Sequence, residues 1–318
     1  MTMKSAALGL ALCVFAIPLP SAADRSPDGR TFRVDCGRRG ETIARALSRA
    51  QAGDTILVRG TCTESIEVEE GITLDGRGRA RVVAPDPTDT PVRVTSARQA
   101  TIRGFVLDAP ARIQIAVAFG ANAWIEGNTV RNATNFGISV GFGSFATVLG
   151  NTVEGNGVGG ILALEGSSMQ VGANGFFSEV IPNTVRDNVS FGVIAIGNSN
   201  AVVLGGNVIS GSNIGVLVAD GGQARIAGND ISGNNIGIFT DRGGVVQLPL
   251  AANPNPLLTA LNTGDNTQFG IACQGGALGG VADLQPAVAL PPPAGALAGP
   301  RPDTTFCQDA SVPLPAAP

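Results

Sequence analysis

The sequence predicts an all-β chain wound as a single-stranded right-handed parallel β-helix, with a short N-terminal capping helix. Three observations predict it. An asparagine phrase returns along residues 124–240: Gly127-Asn128-Thr129-Val130, Gly150-Asn151-Thr152-Val153, Pro182-Asn183-Thr184-Val185, Gly206-Asn207-Val208-Ile209 and Gly228-Asn229-Asp230-Ile231. A second phrase, glycine before a branched apolar residue, follows each: Gly137-Ile138, Gly160-Ile161, Gly192-Val193, Gly215-Val216 and Gly237-Ile238. Between them lie short apolar runs such as Ile138–Val140, Thr147–Leu149, Val193–Ile196 and Ala201–Leu204, bounded by Gly, Asn and Ser.

The second phrase advances by 23, 32, 23 and 22 positions, so the coil between Gly160 and Gly192 carries an insertion of about ten residues. Self-similarity at such a period marks a repeat architecture. Val- and Ile-rich runs between turn residues are strand chemistry. No unit has room for a helix of about ten residues beside its strands. Three short strands and three bends make one coil, and coils stack about 4.8 Å apart. No coil can bury its face alone, so the core is shared between neighbours.

The recurring asparagine suits a sharp bend. Its amide can bond to the equivalent amide one coil away, and it tolerates left-handed backbone. Asn128, Asn151, Asn183, Asn207 and Asn229 are therefore expected to form a structural ladder rather than a ligand site, because buried polar groups are normally partnered within the fold.

Along the chain, residues 1–23 read as a signal peptide: Lys4, the apolar run Ala6–Ile17 and the small residues Ser21-Ala22-Ala23. A secreted or periplasmic protein is expected, with no transmembrane segment. Residues 24–52 read as a linker and capping helix. Glu41–Ala50 places Ile43, Ala46, Leu47 and Ala50 at helical spacing, with Arg45 and Arg49 on the other side. A solenoid end needs such a cover, because bare rungs and open edges aggregate. The β-helix is expected over 53–283. The Pro-rich segment 284–318 reads as an extended strap. Four cysteines follow the signal segment, and two disulfides are expected, Cys36–Cys62 and Cys273–Cys307. Without His or Cys-x-x-Cys spacing, no metal centre is expected.

The stretch Thr42-Ile43-Ala44-Arg45-Ala46-Leu47, then Ala52-Gly53-Asp54-Thr55-Ile56, Gly60-Thr61-Cys62-Thr63-Glu64-Ser65-Ile66 and Gly71-Ile72-Thr73-Leu74-Asp75-Gly76 resembles the opening of secreted β-helix proteins of the pectin-lyase-like superfamily. More closely, it is similar to the repeats of a periplasmic copper-maturation factor and of carbohydrate-binding and sugar-hydrolysing relatives. The resemblance covers roughly residues 40–240 and implies the fold. It leaves function open, because the fold hosts lyases, hydrolases, epimerases, adhesins and binding proteins.

There is no His or Tyr, and Lys4 is the single lysine. The formal net charge of −4 lacks the basic footprint a nucleic-acid partner requires. Acid–base chemistry would fall to Asp, Glu or Arg. Aligning the glycine phrases gives one column that could carry it: Phe142, Glu165, Gly197, Asp220 and Arg242, with Asp241 one place before. In register, Asp220 and Asp241 would lie about 5 Å apart, close enough to share a proton or hold Ca²⁺ as a cofactor. Arg242 could then hold an anionic sugar. The plainer reading is that these Asp residues serve turns. The column Glu154–Arg186 reads as a surface ion pair.

Sugar sites offer aromatic faces. Phe136 and Phe191, each before a glycine phrase, are expected in the core, and Trp124 fits core or platform equally. Phe142, Phe145, Phe176 and Phe177 lie in turn-like or inserted segments. The insertion Asn174–Pro182 is expected to project and to suit a binding role, with Phe176 and Phe177 as its aromatics. The sequence favours a monomeric, non-catalytic β-helix engaging a polysaccharide or cell-envelope component. The alternative is a polysaccharide lyase or hydrolase acting through Glu165, Asp220, Asp241 and Arg242.

Overall fold

The computed structural model describes residues 29–174, 179–248, 261–274, 277–279 and 305–307. The signal segment 1–23, Phe176, Phe177 and most of the C-terminal strap lie outside the described residues.

Parallel strands stack into three faces. The third face is a ten-stranded sheet whose members run from Ile66–Val68 to Thr305–Cys307. Its inward column is Ile115, Ile138, Ile161, Val193, Val216, Ile238 and Ile271, each opposite the next in register. The first face stacks Ala123, Ala146, Met169, Ala201, Ala224 and Val246. The second stacks Leu107, Val130, Val153, Val185 and Ile209. These side chains are buried, each large one contributing about 1.5–3 kcal/mol of transfer energy. Every rung borrows half its cover from the rungs beside it, which is why the pattern must repeat.

The bend from first to second face is held by the asparagine ladder. Side-chain amides link Asn128 to Asn151 at 3.0 Å, Asn151 to Asn183 at 3.1 Å, Asn183 to Asn207 at 2.9 Å and Asn207 to Asn229 at 2.8 Å. A second ladder holds the next bend. Asn156 donates its amide to Asn188 at 2.9 Å, and the Ser212 and Asn234 backbone N–H groups donate to Asn234 and Asn266 at 3.1 and 2.9 Å. The glycine phrase has its own cause. A Cβ at Gly192 would stand 2.5 Å from the Gly215 carbonyl oxygen and 2.6 Å from Ile209 Cγ2. Only glycine lets the backbone pass this close.

The N-terminal end differs from expectation. A strand, β1 (Thr31–Asp35), precedes the helix and pairs in parallel with β2 (Thr55–Arg59), so the solenoid starts inside the expected linker. The helix α1 is only Ile43–Leu47, shorter than the periodicity suggests. Asp54 turns the chain soon after it, accepting the Gln51 N–H at 2.8 Å. At the helix start, Glu64 accepts the N–H groups of Ile43 and Ala44 at 2.8 and 2.9 Å. Ile43 and Ala46 join the core. A disulfide joins Cys36 to Cys62.

At the other end Thr305–Cys307 lies parallel to Ile271–Cys273, so this piece of the expected strap is a strand. Cys273 stands opposite Cys307 in that register, and the Cys307 side chain lies outside the described residues. The described base of the insertion forms a small antiparallel pair, Ala173–Asn174 with Glu179–Val180. The rest of the expected projection, 175–178, lies outside the described residues. Val180 packs against Ala173, Leu204 and Ala227 on the outside of the first face, because burying that apolar patch outweighs solvation of a short hairpin.

Candidate functional site

The bend from third to first face carries the column the sequence singled out. Phe119, Phe142, Glu165, Asp220 and Arg242 all have left-handed backbone, with φ of 58°, 55°, 53°, 51° and 42°. Glycine follows each of them, and Gly197-Asn198 holds the coil between Glu165 and Asp220. Backbone bonds tie each bend to the next. Gly120 N–H donates to Phe142 O at 3.1 Å, Gly143 to Glu165 O at 3.1 Å, Gly166 to Gly197 O at 2.9 Å, Asn198 to Asp220 O at 3.2 Å and Gly221 to Arg242 O at 3.3 Å. The side chains therefore leave one corner in a line about 24 Å long, at about 4.8 Å per rung.

Left-handed backbone costs an L-residue about 1–2 kcal/mol. A phenylalanine there is not explained by turn chemistry. Phe119 and Phe142 are nonetheless exposed, at 64% and 51%, with ring centroids 5.1 Å apart and planes 19° apart. The sequence signal for Phe119 is the spacing of Ala118-Phe119-Gly120, 23 positions before Gly141-Phe142-Gly143. The weaker repeat over 92–123 hides it.

The acidic end is organised by Arg242. The register brings Asp220 beside Arg242 rather than beside Asp241. Arg242 Nε lies 2.6 Å from Asp220 Oδ1, and Nη2 lies 3.1 Å from Oδ2. Arg242 Nη1 is 3.5 Å from Asp241 Oδ2. Asp241 Oδ1 accepts the Arg242 N–H at 2.7 Å. The hydrogen bond and charge of Asp220, then Asp241, raise the pKa of the guanidinium, so it stays a cation. The free carboxylate pair expected from the sequence is thus an ion trio. A guanidinium occupies the place between the carboxylates that Ca²⁺ would need, and the donor set does not fit that ion. Glu165 is exposed, two rungs from Asp220 with Gly197 between them.

Other candidates fall elsewhere. Trp124 is half-buried on the outer side of the first face, between buried Ala123 and Ile125, with Thr101 and Thr147 beside it in register. Phe145 shares that outer side. Phe136 and Phe191 are half-buried rather than core residues, with Gly159 between them in register; they sit where the strand leaves the bend, beyond the packed rungs. Glu154 accepts Arg186 at 2.7 Å within a longer string of alternating charge, Arg81–Asp108–Arg131–Glu154–Arg186. Among the described residues the one metal-like cluster is Cys36, Cys62 and Glu64. Its cysteines are oxidised and Glu64 caps α1, so it offers no ligand set.

Residues 86–176 match the family model described as the right-handed beta helix region. No curated protein and no solved structure matches the chain. The solenoid and this match agree: the chain is a right-handed parallel β-helix. Among the described residues, no helix is long and apolar enough to cross a membrane.

Proposed function

We propose that this is an exported, non-catalytic β-helix protein that binds a polysaccharide or other cell-envelope polymer along the corner from Phe119 to Arg242. The carrying observation is the exposed Phe119–Phe142 pair, held in costly backbone and aligned with Glu165 and Asp220, with Asn198 one place beside the row. Aromatic rings supply apolar contact to sugar rings, and carboxylates and amides accept and donate to hydroxyls. A straight, evenly spaced row suits a straight, repeating ligand. Export is supported by the Lys4 and Ala6–Ile17 pattern and by the Cys36–Cys62 disulfide, which persists in oxidising compartments.

The catalytic alternative draws support from Glu165, Asp220, Asp241 and Arg242 sharing one corner. It loses support because Arg242 occupies the Asp220 carboxylate on both oxygens. The guanidinium that would hold an anionic sugar is thus already taken by Asp220 and Asp241.

Electrophoresis through gels containing envelope polysaccharides tests the reading. Retardation by at least one polymer is expected, and Phe119→Ala with Phe142→Ala should abolish it while the far-ultraviolet spectrum stays unchanged. Unretarded migration in every gel, or retardation that survives both substitutions, would overturn it. Uronate polymers with calcium should release no unsaturated product. Release that disappears in Asp220→Ala would instead establish the lyase.

A further inference from the structure

A second cleft, unrelated to the corner column, opens between β1 and α1. Its volume is about 330 Å³. Phe32, Val34 and Ala46 form an apolar floor, and Arg33, Arg45 and Arg49 stand on its rim. Of the eighteen arginines among the described residues, nine have a carboxylate partner and nine do not, these three among them; Arg45 Nη1 donates to Gly40 O at 3.4 Å. The acid of the cleft, Glu41, is already engaged. It accepts the Asp35 N–H at 2.8 Å and lies 3.9 Å from Arg38. Arg30, beside the cleft, is held by Asp54.

The backbone adds to this. Among the described residues β1 pairs only with β2. Residues of a parallel strand alternate in the side to which their N–H points. Asp35 N–H points away from β2, to Glu41, and Arg33 N–H shares that side. The cleft thus combines an apolar floor, three guanidiniums and an edge of unpaired strand. Arginines guarding a bare edge would explain the charge alone. They would not explain an open concavity that reaches the size of small-ligand sites, about 300–1,000 Å³.

We propose that this cleft binds a ligand carrying an oxyanion, carboxylate or phosphate, on an apolar body. The head would lie among Arg33, Arg45 and Arg49, which match planar oxyanions in fork geometry. The body would lie against Phe32, which keeps exposed surface where Val34 and Ala46 are already buried. Both an acidic sugar, with its apolar ring face, and an anionic lipid meet this description.

Isothermal titration of the full chain tests it with three probes: galacturonate trisaccharide, octyl phosphate and uncharged octyl glucoside. At least one anionic probe should bind, octyl glucoside should not, and binding should weaken as salt rises. The anion that binds identifies the source. Arg45→Gln and Arg49→Gln should each weaken it by about tenfold, the worth of a charge-assisted hydrogen bond. Arg45→Lys should restore part of the loss. Phe119→Ala with Phe142→Ala should leave it unchanged, which separates this site from the corner column. Absence of heat with both anions, equal binding of octyl glucoside, or full binding by Arg45→Gln with Arg49→Gln would overturn the proposal.

Discussion

The side-chain nitrogen of Asn151 donates to the Asn183 oxygen one coil on at 3.1 Å, and the Asn151 backbone N–H donates to the same oxygen at 2.8 Å. One buried amide oxygen therefore serves two donors. Asn183 in turn donates to the Val148 carbonyl and to Asn207. The ladder satisfies the bend and ties successive coils at once.

Asn183→Ala leaves the buried Asn151 N–H without an acceptor. Such a group costs about 1–3 kcal/mol. The stability measured by urea unfolding should fall by about that amount. Asn235→Ala, on the exposed side of the next bend, should change stability by less than about 0.5 kcal/mol. Equal effects at the two positions would deny the ladder its structural role.

Asp54 gives a pH signature. Its hydrogen bond from Arg30 holds the carboxyl down at about 2, against the opposing effect of burial. A carboxylate with a lowered folded pKa stabilises above its unfolded value of about 3.9 and loses that contribution as pH falls through the folded value. The stability of the protein should therefore decline between about pH 4 and pH 2. Asp54→Asn should be less stable at pH 7 and show a shallower decline over the same window. Parallel acid curves for the two proteins would contradict the assignment.

Phe142→Gly separates binding from stability. Glycine adopts φ of 55° freely, relieving about 1–2 kcal/mol of backbone cost. Loss of the ring contact with Phe119, about 0.5–1.5 kcal/mol, offsets this. Urea unfolding should shift by less than about 1 kcal/mol, while polymer retardation is lost. Phe105→Ala, in the buried core, should cost about 3–5 kcal/mol by contrast. A large loss at Phe142 would mean the ring is kept for packing.

The repeats were legible because stacking forces equivalent residues to obey equivalent constraints. Asn128, Asn151, Asn183, Asn207 and Asn229 share one phrase in the sequence, and they do join. The second ladder stands five places later at Asn156, Asn188, Asn234 and Asn266. It went unread because Ser212 interrupts it and its flanking residues vary. Phe119 was missed for a related reason, since its coil lacks a clean asparagine phrase.

The amino-acid pattern alone determined the winding, since only a stacked coil makes use of an apolar, glycine and asparagine phrase at so short a period. Tertiary structure decided which charges meet. Asp220 and Arg242 stack one rung apart in the aligned column and Asp241 adjoins Arg242 in sequence, so both acids are within reach; the folded side-chain conformation gives the guanidinium to Asp220 with both oxygens. The opening between β1 and α1 was equally invisible, because β1 lies outside the repeat and its neighbours are set by where the chain enters the first coil.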